Sequence, residues 1–274
     1  MGIKITTLIE NKDGHCINGE FGLSLLIEDN DFRFIFDTGK IGKFLENAEK
    51  MNINLKDIQH MVLSHSHFDH TGGVKTFIEN CSNNFTLHIA PTFFEEKHKI
   101  TELIHEFLGN NFDKKYIENS GVKIHYIEGD EYQLSENITL HTNFKQTNDF
   151  ETPVRYYFRK IYDDYILDNM EDEIVISADT PKGTVIICGC SHIGIANIVE
   201  TIKNRTEKKI YGIIGGLHLS KAEDERIDKV LDYFIKNDIK FFGVSHCTGE
   251  KFIEKLKKHN PDFIYNCTGN IIEF

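Results

Sequence analysis

The chain has 274 residues, 40% of them hydrophobic, and a formal net charge of -12. That composition suits a folded body of one large domain or two small ones and excludes large-scale disorder. The acid-rich balance argues against a general nucleic-acid binder, which gathers Lys and Arg against phosphates, but it leaves room for a small phosphorylated molecule held at a cation.

The first segment, Met1-Gly2-Ile3-Lys4-Ile5-Thr6, reads as a strand and lacks the apolar run of a signal peptide, so a cytoplasmic location is expected. No apolar run anywhere approaches about 18 residues, so no membrane span is expected. Residues 22–28 and 32–36 read as two strands joined by the turn Asp29-Asn30-Asp31. Ile41, Phe44, Leu45, Ala48 and Met51 follow at helical spacing. Met61-Val62-Leu63-Ser64 is a short strand that runs directly into His65-Ser66-His67-Phe68-Asp69-His70, and Gly72-Gly73 then permits a tight turn before a helical stripe at Val74, Phe77 and Ile78.

After a strand at 85–90, the spacing of Ile100, Leu103, Ile104, Phe107 and Leu108 predicts a helix. Residues 122–127 and 138–141 read as strands, and 145–153 as a loop. A hairpin is expected from 173–178 and 184–188 around Asp179-Thr180-Pro181-Lys182-Gly183. Beyond it helix and strand alternate. A helical stripe at Ile195, Ile198, Val199 and Ile202 precedes a strand at 210–214. A second stripe at Ile227, Val230, Leu231, Phe234 and Ile235 precedes 241–245, and a third helix precedes 263–266. The pattern predicts a layered α/β body of two helix-covered sheets. The stretch from about 92 to 149 reads as an elaboration beside that single domain.

The chemistry is concentrated in the histidine cluster. Three imidazoles and a carboxylate within six residues are the ligand types that borderline divalent metals prefer. In extended geometry His65 and His67 fall on one side of the chain, while Asp69 and His70 follow the turn and are free to face a second cation about 3.5–4 Å away. The six cysteines, at 16, 81, 188, 190, 247 and 267, form neither a C-x-x-C pair nor a disulfide framework.

The run His65-x-His67-x-Asp69-His70 followed by Gly72-Gly73 resembles the signature of the metallo-β-lactamase superfamily, and Phe36-Asp37-Thr38-Gly39 resembles its first motif. Gly189-Cys190-Ser191-His192-Ile193-Gly194, Gly215-Gly216-Leu217-His218-Leu219 and His246-Cys247-Thr248-Gly249 extend the likeness to the group named for dihydropterin-methyl-aminobenzene-ribofuranosyl 5'-phosphate synthase. The resemblance implies an αββα four-layer sandwich with two divalent metal ions at one edge, zinc first, with iron and manganese suited to the same donors. It assigns His65, His67 and His192 mainly to one metal and Asp69, His70 and His246 to the other. It makes Asp69 and His218 the catalytic candidates, with His218 as a proton donor, and Asp37 the partner that fixes the tautomer of a ligand histidine. Many members carry a bridging aspartate where this chain has Gly189-Cys190. Either a Cys190 thiolate or His192 is left to replace it. Diiron relatives that reduce oxygen or nitric oxide usually carry glutamate in place of His67, together with an added flavin domain, so redox chemistry is disfavoured.

The expected function is a hydrolase whose dinuclear centre activates water against a phosphoester or lactone-like acyl centre of a small, phosphorylated or neutral substrate. The alternatives are a synthase-like transfer joining a pterin to a ribosylaminobenzene phosphate, and a non-catalytic metal-binding or sensing module. Neither nucleic acid nor a membrane is an expected partner, and oligomeric state is not encoded in any motif.

Overall fold

The structure, a computed structural model, describes residues 2–152, 154–260 and 263–274. Met1 of the expected first strand and Pro153 at the end of the expected loop lie outside the described residues. Strands Ile271–Glu273, Ile3–Ile9, Ser24–Asp29, Phe32–Phe36, His60–Val62, Thr86–Ile89 and Lys123–Tyr126 form one seven-stranded sheet, in that spatial order. Phe263–Tyr265, Phe241–Ser245, Ile210–Gly216, Gly183–Cys188, Val175–Thr180, Ile138–His141 and Glu131–Gln133 form the other.

Three apolar layers hold the body together. Between the sheets, Leu25, Ile27, Phe34 and Phe36 meet Ile138, Ile176, Val185, Ile187 and Ile214. The alternate residues of the same strands, such as Leu26 and Ile35, face the opposite way, onto Phe44, Phe77 and Ile117 of helices Lys43–Lys50, Val74–Asn80 and Lys114–Ser120. On the far side, Ile198, Val230, Phe234 and Phe252 from helices Ile195–Thr206, Asp224–Lys236 and Glu250–His259 cover the second sheet. Strands buried on both faces read as continuous apolar runs, which is why those segments were legible without strict alternation. The result is the expected αββα sandwich. No described helix is long and apolar enough to cross a membrane.

The helix expected around Ile100–Leu108 does not form. Glu96–Ile100 and His105–Phe107 are strands joined by a tight turn, and they belong to a third, four-stranded sheet with Tyr157–Ile161 and Asp164–Leu167. Leu103, Ile104 and Phe107 are exposed, so their helical spacing marks no buried face. Glu96–Ile100 instead pairs with Tyr157–Ile161, a partner too distant in the chain for a local pattern to reveal. The elaboration expected over 92–149 is accordingly redistributed. Lys123–Tyr126 and Ile138–His141 are strands of the two main sheets, and the added sheet joins two strands from within that interval to two that follow it.

Candidate metal centre

Strands Phe32–Phe36 and His60–Val62 run parallel in the first sheet, as do Gly183–Cys188, Ile210–Gly216 and Phe241–Ser245 in the second. The candidate residues come immediately after these strands: Asp37, the run from Ser64 to His70, Cys190 with His192, His218, and His246. Ligand sites of α/β sheets form where loops leave the carboxyl ends of parallel strands, and here two sheets present such ends to one another.

A loop that leaves a sheet carries backbone N–H groups with no ladder partner, and buried ones require acceptors. Four buried carboxylates meet that need. Asp37 Oδ1 accepts the Ser64 N–H at 2.7 Å, and Asp172 Oδ2 accepts the Ser66 N–H at 2.9 Å and its hydroxyl at 2.8 Å. Glu173 accepts the N–H groups of His192 and Ile193 at 2.8 and 2.9 Å, and Glu10 accepts that of His246 at 2.5 Å. Asp37, Ser191, His218 and His246 all have positive φ, between 50° and 61°. Non-glycine residues persist in that region only where surrounding contacts enforce it. Gly189 is required by close approach, since a Cβ there would stand 2.2 Å from Ser64 Oγ.

The same contacts set the tautomers. His70 Nδ1 lies 2.6 Å from Asp37 Oδ2, and Ser64 Oγ donates to that oxygen at 2.7 Å. With its proton committed, Ser64 Oγ accepts from His65 Nδ1 at 2.8 Å. His246 Nδ1 lies 3.0 Å from Asn11 Oδ1. Acceptors on these three Nδ1 atoms direct the three Nε2 atoms inward. His70 Nε2 lies 3.2 Å from both Cys190 Sγ and His246 Nε2, and His65 Nε2 lies 3.1 Å from His67 Nδ1. Asp69 Oδ2 is 3.4 Å from His246 Nε2 and 3.8 Å from His70 Nε2.

Two donor groups result, each with its ligand atoms within 4.8 Å of one another: His65, Cys190 and His192, and His70, Cys190 and His246. Cys190 is common to both. His67 and His192 close on His65, with ring centroids 4.6 and 4.8 Å from it. The fold thus gathers every residue expected at the site, Asp37 included.

The donor chemistry fits divalent cations. Buried His67 Nε2 and both ring nitrogens of buried His192 have no hydrogen-bond partner among the described residues. Burial, then the neighbouring imidazoles, holds His65 and His192 well below the usual histidine range, and burial pushes His67 down to about 4, so these rings are neutral with a lone pair to offer. Burial would raise the Asp69 carboxyl, but the imidazoles of His70 and His246 hold it well below the ordinary carboxylate range. His246 is the exception. Burial opposes its charge, yet Asp69 and Cys247 push it up to about 9, so a proton stands where a cation would. The nitrogen–nitrogen separations of 3.1 and 3.2 Å also match the edge, about 3.3 Å, of a tetrahedron with metal–nitrogen bonds of about 2.0–2.1 Å.

A cavity of about 580 Å³ opens onto these donors. His218 lines it beside Tyr157, with Nε2 3.5 Å from the phenol oxygen and its ring 4.2 Å from that of His192. Burial, then His67, pushes His218 down to about 3, and burial likewise keeps the Tyr157 phenol protonated. Phe21, Phe68 and Tyr156 supply aromatic surface, and Lys99, Lys221 and Arg226 supply positive charge. Behind the cluster, Lys97 Nζ is buried 2.8 Å from both Asp168 and Asp172, so the carboxylate that holds Ser66 is itself held. Reading the chain alone missed Tyr157, Arg226, Lys97, Asp172, Glu173 and Glu10. None belongs to a short motif. Only the pair Asp172-Glu173, just ahead of strand Val175–Thr180, left a local trace.

A family model described as the metallo-beta-lactamase superfamily matches residues 17–98. The 7,8-dihydropterin-6-methyl-4-(beta-D-ribofuranosyl)-aminobenzene-5'-phosphate synthase of Methanocaldococcus jannaschii is 35% identical over 99% of this chain and 97% of its own length. Among solved structures, a metal-dependent hydrolase of the beta-lactamase superfamily superposes with a TM-score of 0.87 at 26% identity, covering 99% of both chains. A metallo-beta-lactamase fold protein from Bacillus subtilis, at 11% identity and a TM-score of 0.60 over 98% of this chain and 99% of its own, shares the fold. This chain belongs to the metallo-β-lactamase superfamily. Within it, the likeness is to the group of the dihydropterin-linked synthase, along nearly the whole length of both chains.

Proposed function

We propose that this protein is a metal-dependent hydrolase acting on a small molecule, a phosphoester in the first place and a lactone-like acyl compound in the second. The observation that carries the reading is the buried set of imidazoles, carboxylate and thiol at the floor of an open cavity, with ring nitrogens that no group among the described residues satisfies. His65, His67 and His192 would hold one cation and Asp69, His70 and His246 the other, with Cys190 shared between them. Two divalent ions, zinc being the first choice, lower the pKa of water and polarise the oxygen of the group under attack. The protein's own contribution is to place charge and protons. Asp69, kept ionised, orients the attacking water. Tyr157, protonated, stands beside His218 on the wall, and His218, neutral until an anionic substrate raises its pKa, then returns a proton to the leaving group.

The walls support an anionic substrate. In a chain of net charge -12, Arg226 reaches the cavity with no ion pair among the described residues, and its buried Nε lacks a partner. A cytoplasmic setting belongs to this reading, because a reducing surrounding keeps a donor such as Cys190 a thiol. Elemental analysis combined with a phosphodiester and lactone screen tests the proposal. Chelator-sensitive turnover of either class is expected, and a fully loaded protein inert to both would sink it.

A second reading has one specific support, the name borne by the 35% identical relative. In that reading the aromatic walls bind a pterin and the site joins it to a ribosylaminobenzene phosphate. The chain has no Trp, so pterin-dependent quenching of tyrosine fluorescence reports such binding directly.

A further inference from the structure

Cys190 and Cys247 follow strands Gly183–Cys188 and Phe241–Ser245, which are separated in the sheet by Ile210–Gly216. Strands two apart lie about 9–10 Å from one another, too far for their thiols to meet in a regular sheet. The end of the middle strand removes the obstacle. Gly216 has no side chain, and a Cβ there would stand 2.6 Å from Cys247 Sγ and 3.4 Å from Cys190 Cα. Through that gap the two sulfurs come within 3.3 Å. Cys188, in the same strand, points elsewhere, toward the carbonyls of Ile214 and Gly216.

We propose that Cys190 and Cys247 are an oxidative modification site: they close reversibly to a disulfide, and that disulfide and a bound cation exclude one another. A disulfide bond is about 2.0 Å long, so closure needs little more than 1 Å of sulfur travel, roughly what a side-chain rotation supplies. Both cysteines line the cavity, so a small disulfide oxidant reaches them from solvent. Cys247 is the more exposed of the two and accepts the His218 N–H on its sulfur at 3.2 Å. Its thiolate attacks one sulfur of glutathione disulfide and releases one glutathione. The Cys190 thiolate then attacks the Cys247 sulfur of the mixed disulfide and releases the second. Two protein thiols thereby lose two protons and two electrons, and one glutathione disulfide becomes two glutathiones. The closure stands on geometry alone. The exclusion rests on the metal reading above, because Cys190 belongs to both donor groups and a disulfide sulfur is no thiolate ligand.

The test treats chelator-stripped full-length protein, and zinc-loaded protein in parallel, with glutathione disulfide. Non-reducing peptide maps follow, with fragmentation that separates Cys190 from Cys188, and zinc uptake is then titrated with a chromogenic competitor. The stripped protein is expected to lose two mass units and show a Cys190–Cys247 link. Its zinc affinity falls at least 10-fold and dithiothreitol restores it, while the zinc-loaded protein oxidises more slowly. Free thiols at 190 and 247, or a link to another cysteine, would overturn the closure. A correct link with undiminished zinc uptake would overturn the exclusion. If the reduced protein takes up no zinc, the metal reading and the exclusion fall together, while the map still decides the closure.

Discussion

His70 Nδ1 and Asp37 Oδ2 are 2.6 Å apart, and the same oxygen takes the Ser64 hydroxyl that in turn faces His65. One carboxylate therefore orients a histidine of each donor group, one directly and one through a serine. Asp37→Asn keeps the shape but replaces the charge and one acceptor oxygen with an amide. Metal affinity is expected to fall about 10–100-fold, measured by competition with a chromogenic chelator, with far-UV circular dichroism unchanged. Unchanged affinity would mean that Asp37 serves only to satisfy Ser64.

Lys97 is buried with Asp168 and Asp172, and Asp172 holds the loop between His65 and His67. Lys97→Met leaves two buried carboxylates facing one another with no cation. Stability to urea is expected to drop by about 3–5 kcal/mol, since breaking a buried ion pair strands an uncompensated charge. A change below 1 kcal/mol would show that the site relaxes by admitting water.

His88 lies outside the metal centre with Nε2 2.9 Å from His60 Nδ1, and burial pushes its pKa down to about 3. The folded value thus lies below the unfolded value of about 6.5. Above about pH 6.5 neither state holds the proton and stability is complete. Between there and about pH 3 only the unfolded chain binds it, so stability falls as pH falls, by up to about 1.4 kcal/mol per pH unit. Denaturation at pH 7.5 and 5.0 is expected to show a smaller acid loss for His88→Asn than for the unaltered protein. Equal losses would remove His88 as the cause.

Arg226 bears on substrate choice. Arg226→Gln is expected to raise KM for a phosphodiester about 10–100-fold, the weight of one charge-assisted hydrogen bond, and to leave KM for a neutral lactone nearly unchanged. An equal effect on both substrates would reassign Arg226 to support of the wall.

His218 is expected to matter in proportion to the proton its leaving group requires. His218→Asn is expected to lower kcat about 10²–10⁴-fold for an alkyl phosphoester and only slightly for a nitrophenyl ester, whose leaving group departs as a stable anion. Rates lowered equally for both would exclude proton donation.

The amino-acid sequence by itself determined the layers of the fold and most of the candidate donor set. Apolar runs buried on both faces mark the central strands, helical stripes mark their cover, and His65, His67, Asp69 and His70 lie close enough in the chain for spacing to show them. His192, His218 and His246 were legible through the family resemblance, with which their places after strands agree. What only the tertiary structure decided depends on residues far apart in the chain. The supposed helix at Ile100–Leu108 is a hairpin because its strand partner begins at Tyr157. Lys97 is a buried cation because Asp168 and Asp172 arrive there. Cys190 joins both donor groups, and meets Cys247, because three strands end together and the middle one ends in glycine. Helical spacing and loop motifs report local geometry, whereas burial, charge pairing and the approach of two thiols are set by distances in space that no spacing along the chain records.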